Sequence, residues 1–293
     1  GVRYAGPPST MDKTMTDLER AFNALSGKLN RFNLLFQYYD GKQPLQYSTA
    51  RLREAFSSID CRFVQNWCSV VVDAALDRIA LKGFDLEDEG QQQKLETIWN
   101  ENQLGLEAEQ VHEAALVCHE AFVIAWPGVG GLDVYANDPR LCHVFYQAAN
   151  PRVKEFACKW YSDEKAWHLT LYYPDRLEYY VTRGNTQPTS AMAFEPDAAQ
   201  PTAANEYGQI PVFHFRLHRR SGNGELDNIL TLQDAVNKLL ADMMVSAEFG
   251  AFKQRWIIAQ TDTSNLKNSP NLIWNIPAGD GVGQPTQVGE FQG

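Results

Sequence analysis

Two His-Glu pairs, His112-Glu113 and His119-Glu120, are the residues of this sequence best suited to chemistry. Seven positions separate the histidines, which brings both near one face of a helix. A zinc-protease helix needs histidines four positions apart, but position 116 is Leu116. Two histidines without a third ligand do not define a metal site, so ordinary helix-surface histidines are the favoured interpretation. A metal-dependent hydrolase or nuclease with its site near these pairs stays as an alternative.

Other motifs that perform chemistry are incomplete. The glycine-rich stretches at 128–131 and 279–283 are not followed by Lys-Ser or Lys-Thr, which a phosphate-binding loop needs. There is no Gly-x-Ser-x-Gly elbow. Cys118 and His119 are chain neighbours on a helix, so they cannot face each other as nucleophile and base. The sequence therefore predicts neither an enzyme nor a bound cofactor.

Aromatic side chains are dense between residues 160 and 180, which leaves open a second alternative, a sheet that binds sugars, bases or peptides. The set is Trp160, Tyr161, Trp167, Tyr172, Tyr173, Tyr179 and Tyr180. Because strands alternate, about half of such a set is expected to point into a core. A binding module thus competes with ordinary core packing.

The longest regular pattern is the stretch 223–256, which reads as one helix of about 28 residues or more and is roughly 40 Å long. Its apolar side chains fall on one half of the helical wheel: Leu226, Ile229, Leu230, Leu232, Val236, Leu239, Leu240, Met243, Met244 and Ala247. A narrow charged stripe occupies an arc of about 80° on the other half. The stripe consists of Asp227, Asp234, Lys238 and Asp242. Such a helix fits either an amphipathic core helix or one that stands beside copies of itself.

Basic residues flank this helix. A cluster at 216–220 precedes it, and Lys253 and Arg255 lie at its far end, where cations suit the negative end of the helix dipole. The cluster could contact phosphate or a partner subunit, and the alternative interpretation is a turn exposed to solvent. The candidates for such contacts are Arg219, Arg220, Lys253 and Arg255.

The composition limits the class of protein. With 44% hydrophobic and 21% charged residues, the chain of 293 residues is globular and long enough for about two domains. A net charge of −10 argues against a surface that grips phosphate backbones. The five cysteines form no CxxC pair, which suits a reducing compartment. No apolar run is long enough for a membrane span, and both ends look cut, so we expect a C-terminally truncated fragment.

The periodicity predicts an α+β fold. Helices are expected at 13–36, 61–79, 89–102 and 106–121, where apolar residues recur at three- and four-residue steps. From Phe122 the period becomes two, which predicts a hairpin at 122–135, an antiparallel meander to about 181 and an edge strand at 210–215. The meander should turn Leu177, Tyr179 and Val181 to one side. Residues 183–208 are expected to form a long exposed loop, and strands are expected at 256–259 and 272–276.

Several stretches together resemble one family, the portal proteins of tailed (siphophage) bacteriophages, of the actinophage and Bacillus-phage type. The resemblance rests on RFNLLFQYYDGKQPL (31–45), NWCSVVVDAALDRIALKGF (66–84), HEAALVCHEAFVIAWP (112–127), IPVFHFR (210–216) and ELDNILTLQDAVNKLLADMMVSAEFGAFKQRW (225–256). These stretches cover most of the chain in order.

The resemblance implies a dodecameric ring at the capsid vertex that forms a DNA channel for genome packaging, ejection and head–tail connection. It implies a wing at 1–222 built of helices and antiparallel strands, a stem helix at 223–255 and the start of a β-containing clip at 256–293. Implied partners are the terminase, the head–tail adaptor, the major capsid and scaffold proteins, and double-stranded DNA bound without sequence specificity. The protein would be found in the virion and, during assembly, in the host cytoplasm. Asp227, Asp234, Lys238 and Asp242 would then line the channel.

Overall fold

A computed structural model describes residues 15–43, 65–128, 131–217, 223–251, 255–258 and 287–290. The described residues fall into two compact units. The first contains those up to Gln43 and those from Asn66 to Leu230, and the second contains Gln65 and those from Thr231 onward. The helix expected at 61–79 and the strand expected at 272–276 lie partly or wholly outside the described residues.

The helices of the first unit follow the predicted pattern. They are α1 (Asp17–Tyr39), α2 (Trp67–Leu76), α3 (Glu89–Glu101) and α4 (Leu104–Cys118). Helix α1 starts at Asp17 because the Thr16 side chain accepts the Glu19 N–H while the Glu19 carboxylate accepts the Thr16 N–H. It ends at Tyr39, three residues after the predicted end at 36, and Gly41 in the following turn adopts a φ of +67°, a conformation that favours glycine.

The strands of the first unit form two antiparallel sheets. A three-stranded sheet has the order β2-β1-β9, from β1 (Glu120–Pro127), β2 (Leu132–Asn137) and β9 (Val212–Arg216). A six-stranded sheet has the order β3-β4-β5-β6-β7, with β8 paired to β6. Its strands are β3 (Cys142–Tyr146), β4 (Lys154–Ser162), β5 (Trp167–Tyr172), β6 (Arg176–Thr182), β7 (Phe194–Pro196) and β8 (Thr202–Ala204). The predicted hairpin, the meander and the edge position of β9 are confirmed.

The six-stranded sheet is buried on both faces. On one face Trp160 and Leu169 pack with Phe22 and Leu25 of α1. On the other face Leu177 of β6 packs with Phe122 of β1 and its neighbours. Leu177 and Tyr179 of β6 lie in this second cluster, on one side as predicted, while Tyr180 packs against the first cluster, so β6 contributes to both cores. A third cluster joins α1, α2, α4 and Leu226.

The stretch 183–208 is more ordered than predicted. It contains β7, β8 and a 3-10 turn at Ala191–Ala193. Phe194 is buried beside Thr182 of β6, so one apolar residue anchors a short strand in a segment rich in turn residues. Strand β3 was also not predicted, because its residues, Cys142–Tyr146, do not alternate clearly between apolar and polar side chains.

The second unit contains helix α5 (Leu230–Ala251) from Thr231 onward and a two-stranded antiparallel ribbon of β10 (Arg255–Ile258) and β11 (Gln287–Glu290). The ring of Trp256 lies over Gly289, where any side chain would clash with it. Strand β10 confirms the strand expected at 256–259. Within the described residues, no helix is long and apolar enough for a membrane crossing.

Candidate functional site

Helix α5 begins later than the sequence pattern suggests. The expected start was residue 223, but residues Leu226–Asn228 form a 3-10 turn and α5 starts at Leu230. Gly224 explains the difference, because a side chain there would come within 2.6 Å of the Val117 carbonyl oxygen. The Glu225 N–H donates to the Leu116 carbonyl at 2.9 Å. The chain before α5 is thus docked on the end of α4 and cannot continue the helix.

One face of α5 is buried, and it is polar. Gln233, Asn237 and Ala241 are each at most 3% exposed and lie within an arc of about 80°. The Gln233 Nε2 donates to the Gln65 carbonyl at 2.6 Å, and the Gln65 N–H donates to the Asn237 Oδ1 at 3.0 Å. The two amides therefore clasp the backbone N–H and C=O of one residue, Gln65. Two amide side chains one helical turn apart are the sequence signal for this clasp, which the wheel analysis overlooked.

A second face of α5 is apolar and exposed. Leu232, Leu239 and Met243 are 63% to 66% exposed and lie within about 40° of one another on the helix. We call these three residues the apolar stripe. The predicted apolar half of the wheel is thus divided, since Leu240 and Met244 are half-buried while the apolar stripe faces solvent. A row of large exposed apolar side chains marks a surface that another protein surface covers.

A third face of α5 contains the charged residues. Asp234, Lys238 and Asp242 fall within an arc of about 80°, as the wheel predicts. The Lys238 Nζ lies 2.6 Å from Oδ2 of Asp242, one turn along the helix. Because one cation stands among two carboxylates, this face has a net charge of about −1 in each chain.

The structure separates Asp227 from the other charged candidates. Asp227 lies in the 3-10 turn before α5, where its carboxylate accepts the Gly224 N–H and pairs with Arg31 at 2.9 Å. Arg219, Arg220 and Lys253 lie outside the described residues. Arg255 opens β10, where its backbone is opposite Glu290.

The histidine candidates lie in the first unit, where they have structural surroundings. His112 is a half-buried residue of α4, and His119 is the residue after this helix, with a φ of +64°. Burial lowers the pKa of His119, and its ring packs edge-on against Phe32. Among the described residues, no group of three or more His, Cys, Asp or Glu side chains is placed to hold a metal ion.

Glu120 belongs to a buried charge network that the sequence did not indicate. Its Oε1 lies 2.8 Å from Nζ of Lys28 on α1, and this ammonium also donates to the Cys142 carbonyl. Nε2 of His214 lies 3.3 Å from the Glu120 Oε2, off the line of a good hydrogen bond, while Nδ1 is 3.2 Å from the Tyr146 hydroxyl. Burial alone would raise the pKa of Glu120, but His214 and Lys28 outweigh it and lower this pKa to about 2.

Most of the aromatic candidates pack inside the first unit. Trp160 is fully buried and meets Trp167 edge-on at 5.3 Å, and Tyr172 is also buried. Tyr173 donates its hydroxyl to Asp17 at 2.9 Å, and Tyr161 stacks on His168 at the surface. These contacts hold the sheet to α1 and leave few of its aromatic faces open to a ligand.

A comparison with known protein families gives a match over most of the chain. A family model described as "Phage portal protein, SPP1 Gp6-like" matches residues 19–289 of the chain. No curated protein gives a match. The matched range includes both units and all three faces of α5.

Proposed function

The chain belongs to the phage portal protein family, and on that premise we propose that it is one subunit of a ring at the capsid vertex that forms the DNA channel. Membership makes it a structural component of a bacteriophage virion with a role in DNA packaging. The finer proposal is that the ring is a dodecamer that serves packaging, ejection and head–tail connection. The terminase supplies the ATPase, so the portal itself needs no catalytic site.

We assign the parts of the chain to the architecture that the resemblance implies. Residues 1–222 form the wing, 223–255 contain the stem helix and 256–293 begin the clip. Helix α5 is then the regular part of the stem, and the ribbon of β10 and β11 belongs to the clip. An isolated two-stranded ribbon is marginally stable in water, which fits a clip whose strands are stabilised by neighbouring copies.

The apolar stripe of α5 is the observation that carries the proposal. Leu232, Leu239 and Met243 are exposed in one chain although each is large enough to add about 1.5 to 3 kcal/mol when buried. In a ring, every stem helix has a neighbour on each side, so the stripe of one subunit can pack on the helix of the next. The clasped face that contains Gln233 and Asn237 is already occupied within its own chain.

We propose that the charged face of α5 lines the channel. Asp234 and Asp242 would present carboxylates to the phosphate backbone, and the ring would multiply the net negative charge of each subunit. Repulsion keeps a polyanion from binding to the wall, so DNA can slide through. The carboxylates of Asp227 and Asp242 are paired with Arg31 and Lys238, so each of these two carboxylates adds less repulsion than its formal charge suggests.

The remaining partners follow from the proposed position. We propose that the clip end of the ring binds the terminase during packaging and the head–tail adaptor afterwards, while the wing contacts the major capsid and scaffold proteins. Arg219, Arg220, Lys253 and Arg255 stay as predicted contacts for DNA or for these partners. Assembly would take place in the host cytoplasm.

Electron microscopy of the protein tests the ring, and a packaging assay tests the channel wall. We expect closed rings with a central hole. Asp234→Lys combined with Asp242→Lys should leave the ring intact but reduce the packaged DNA, because cationic walls hold the phosphates. Asp234→Asn combined with Asp242→Asn is the matched control and should package more DNA than the lysine variant. Normal packaging by the lysine variant would reject the channel-wall assignment, and a monomeric wild type would reject the ring.

A further inference from the structure

A second exposed apolar surface lies far along the chain from α5. We call residues 77–88, between α2 and α3, the arm. Every residue from 77 to 90 is exposed, including four large apolar side chains. These are Ile79, Leu81, Phe84 and Leu86, and Phe84 is 52% exposed. Four such side chains in eight positions are costly to leave in water, so we expect the arm to be covered in the assembled protein.

The outer part of the arm is held in place by α3. The Leu86 N–H donates to Oε1 of Gln92 at 3.0 Å, and Nε2 of Gln92 donates to the Phe84 carbonyl at 3.3 Å. The Phe84 ring also meets Trp99 edge-on at 5.9 Å. The arm is thus preorganised, which lowers the entropy lost when another surface covers it.

The arm is part of the most acidic region of the chain. Residues 77–109 contain nine carboxylates and three cations, a net charge of −6 out of the −10 of the whole chain. Asp85 and Glu87 alternate with Phe84 and Leu86 at the outer end of the arm. A complementary surface must therefore combine apolar side chains with cations.

The first unit contains such a surface along β9, whose second edge pairs with no strand among the described residues. Phe213 and Phe215 are 40% and 47% exposed, and the Lys154 Nζ lies 4.7 Å from the centre of the Phe213 ring. Arg216 is exposed and lies over the Tyr146 ring, and Arg152 is exposed two positions before Lys154 in the chain. We call these residues the edge patch: Arg152, Lys154, Phe213, Phe215 and Arg216. In the part of the chain that the structure describes, no carboxylate pairs with the three cations of the edge patch.

We propose that the arm of one subunit packs on the edge patch of the next subunit in the ring. Both surfaces stay exposed in a single chain, so they do not cover each other within it. The two surfaces are different and complementary in charge, which gives a head-to-tail contact, and repeated head-to-tail contacts close into rings. This inference rests on the proposed ring and adds a second interface to it, formed by the first unit.

A charge swap in the full protein tests the contact. The arm variant has Asp85→Lys and Glu87→Lys, and the edge variant has Arg152→Glu and Arg216→Glu. Each should lower the ring-forming affinity about tenfold or more, because like charges then face each other. The four changes together in one chain should restore most of the affinity. Mass photometry at low and high salt measures the fraction of protein in rings. Screening by salt should reduce the differences in this fraction between the variants and the wild type.

Two further variants complete the test. Glu164→Lys with Lys165→Glu alters exposed charges in the turn between β4 and β5 and should leave assembly unchanged. Leu86→Ser should weaken rings without lowering the stability of the monomer, since Leu86 is already exposed. Normal rings from both the arm and edge variants, or no recovery in the fourfold variant, would overturn the contact while the ring stands. Rings that form normally but fail to enter capsids would assign the arm to a capsid protein instead. A wild type without rings would reject the proposed function itself.

Discussion

In the first unit Phe22, Leu25 and Leu169 are buried between α1 and the six-stranded sheet, whereas Leu232, Leu239 and Met243 on α5 face solvent. The charges differ in the same way. The pair of Lys28 and Glu120 is buried, but the pair of Lys238 and Asp242 is about half exposed. These buried contacts of the first unit stabilise one chain, whereas the exposed side chains on α5 are available to surfaces outside it.

The buried pair should give the largest effect on the stability of one chain. Glu120→Gln leaves the Lys28 ammonium buried without its counter-charge and should cost about 3 to 4 kcal/mol of unfolding free energy at pH 7. Because the pKa of Glu120 is lowered to about 2 in the folded protein, its contribution is complete above about pH 4.5. The contribution is lost as the pH falls through about 2. Urea unfolding of both proteins between pH 7 and 2.5 should show their stabilities converging in acid.

Asp163→Asn provides a control for this pH series. The Asp163 carboxylate accepts two backbone N–H groups in the exposed turn before β5, and these bonds lower its pKa as well. Replacing Asp163 leaves no buried cation without its counter-charge. Asp163→Asn should therefore lower the unfolding free energy at pH 7 far less than Glu120→Gln does. A difference between Glu120→Gln and the wild type that stays constant down to pH 2.5 would contradict the assignment.

Two leucine-to-alanine substitutions, one in the first unit and one on α5, should differ in their effect on the unfolding free energy. Leu169 is fully buried and Leu239 is 63% exposed. Leu169→Ala should cost about 3 kcal/mol, because a cavity remains beside Trp160 and Phe22. Leu239→Ala should stay within about 0.5 kcal/mol when the unfolding of the monomer is measured. Equal losses for the two variants would mean that Leu239 is covered within its own chain.

The exposed pair on α5 should give the smallest effect. Asp242→Asn removes the contact with Lys238, and a pair one helical turn apart at the surface contributes about 0.5 kcal/mol or less. The melting curve should therefore move little, and the small change should disappear in high salt. A loss of several kcal/mol would place this pair in a buried interface rather than on a channel wall.

The sequence predicted those elements whose signals are local. Periodicity predicted a helix at 13–36, and the structure has α1 at Asp17–Tyr39, with its start fixed by the capping box of Thr16 and Glu19. The hairpin of β1 and β2 and the edge strand β9 were likewise predicted, because alternation and Pro211 mark them. The family was recognised from the order of several such stretches.

Structural features that depend on residues far apart in the chain were not predicted. Leu177 belongs to a different core from Leu169 because the sheet is buried on both faces, and alternation within one strand cannot reveal this. Gly224 stops α5 from starting at 223 only because α4 lies against it. The clasp of Gln65 by Gln233 and Asn237 joins residues about 170 positions apart in the chain. On α5 the charged arc was predicted from the sequence. Which of its apolar residues are exposed could be seen only in the structure.

Everything proposed for α5 depends on the apolar stripe's facing a neighbouring copy, and Leu239→Asp tests this most directly. The mass of the wild-type and variant assemblies should be measured by mass photometry at equal concentration, with circular dichroism to verify that both are folded. We predict that the wild type forms a closed ring and that Leu239→Asp stays a folded monomer, because a carboxylate would be buried in every interface. Rings of unchanged mass and stability from Leu239→Asp would contradict the account.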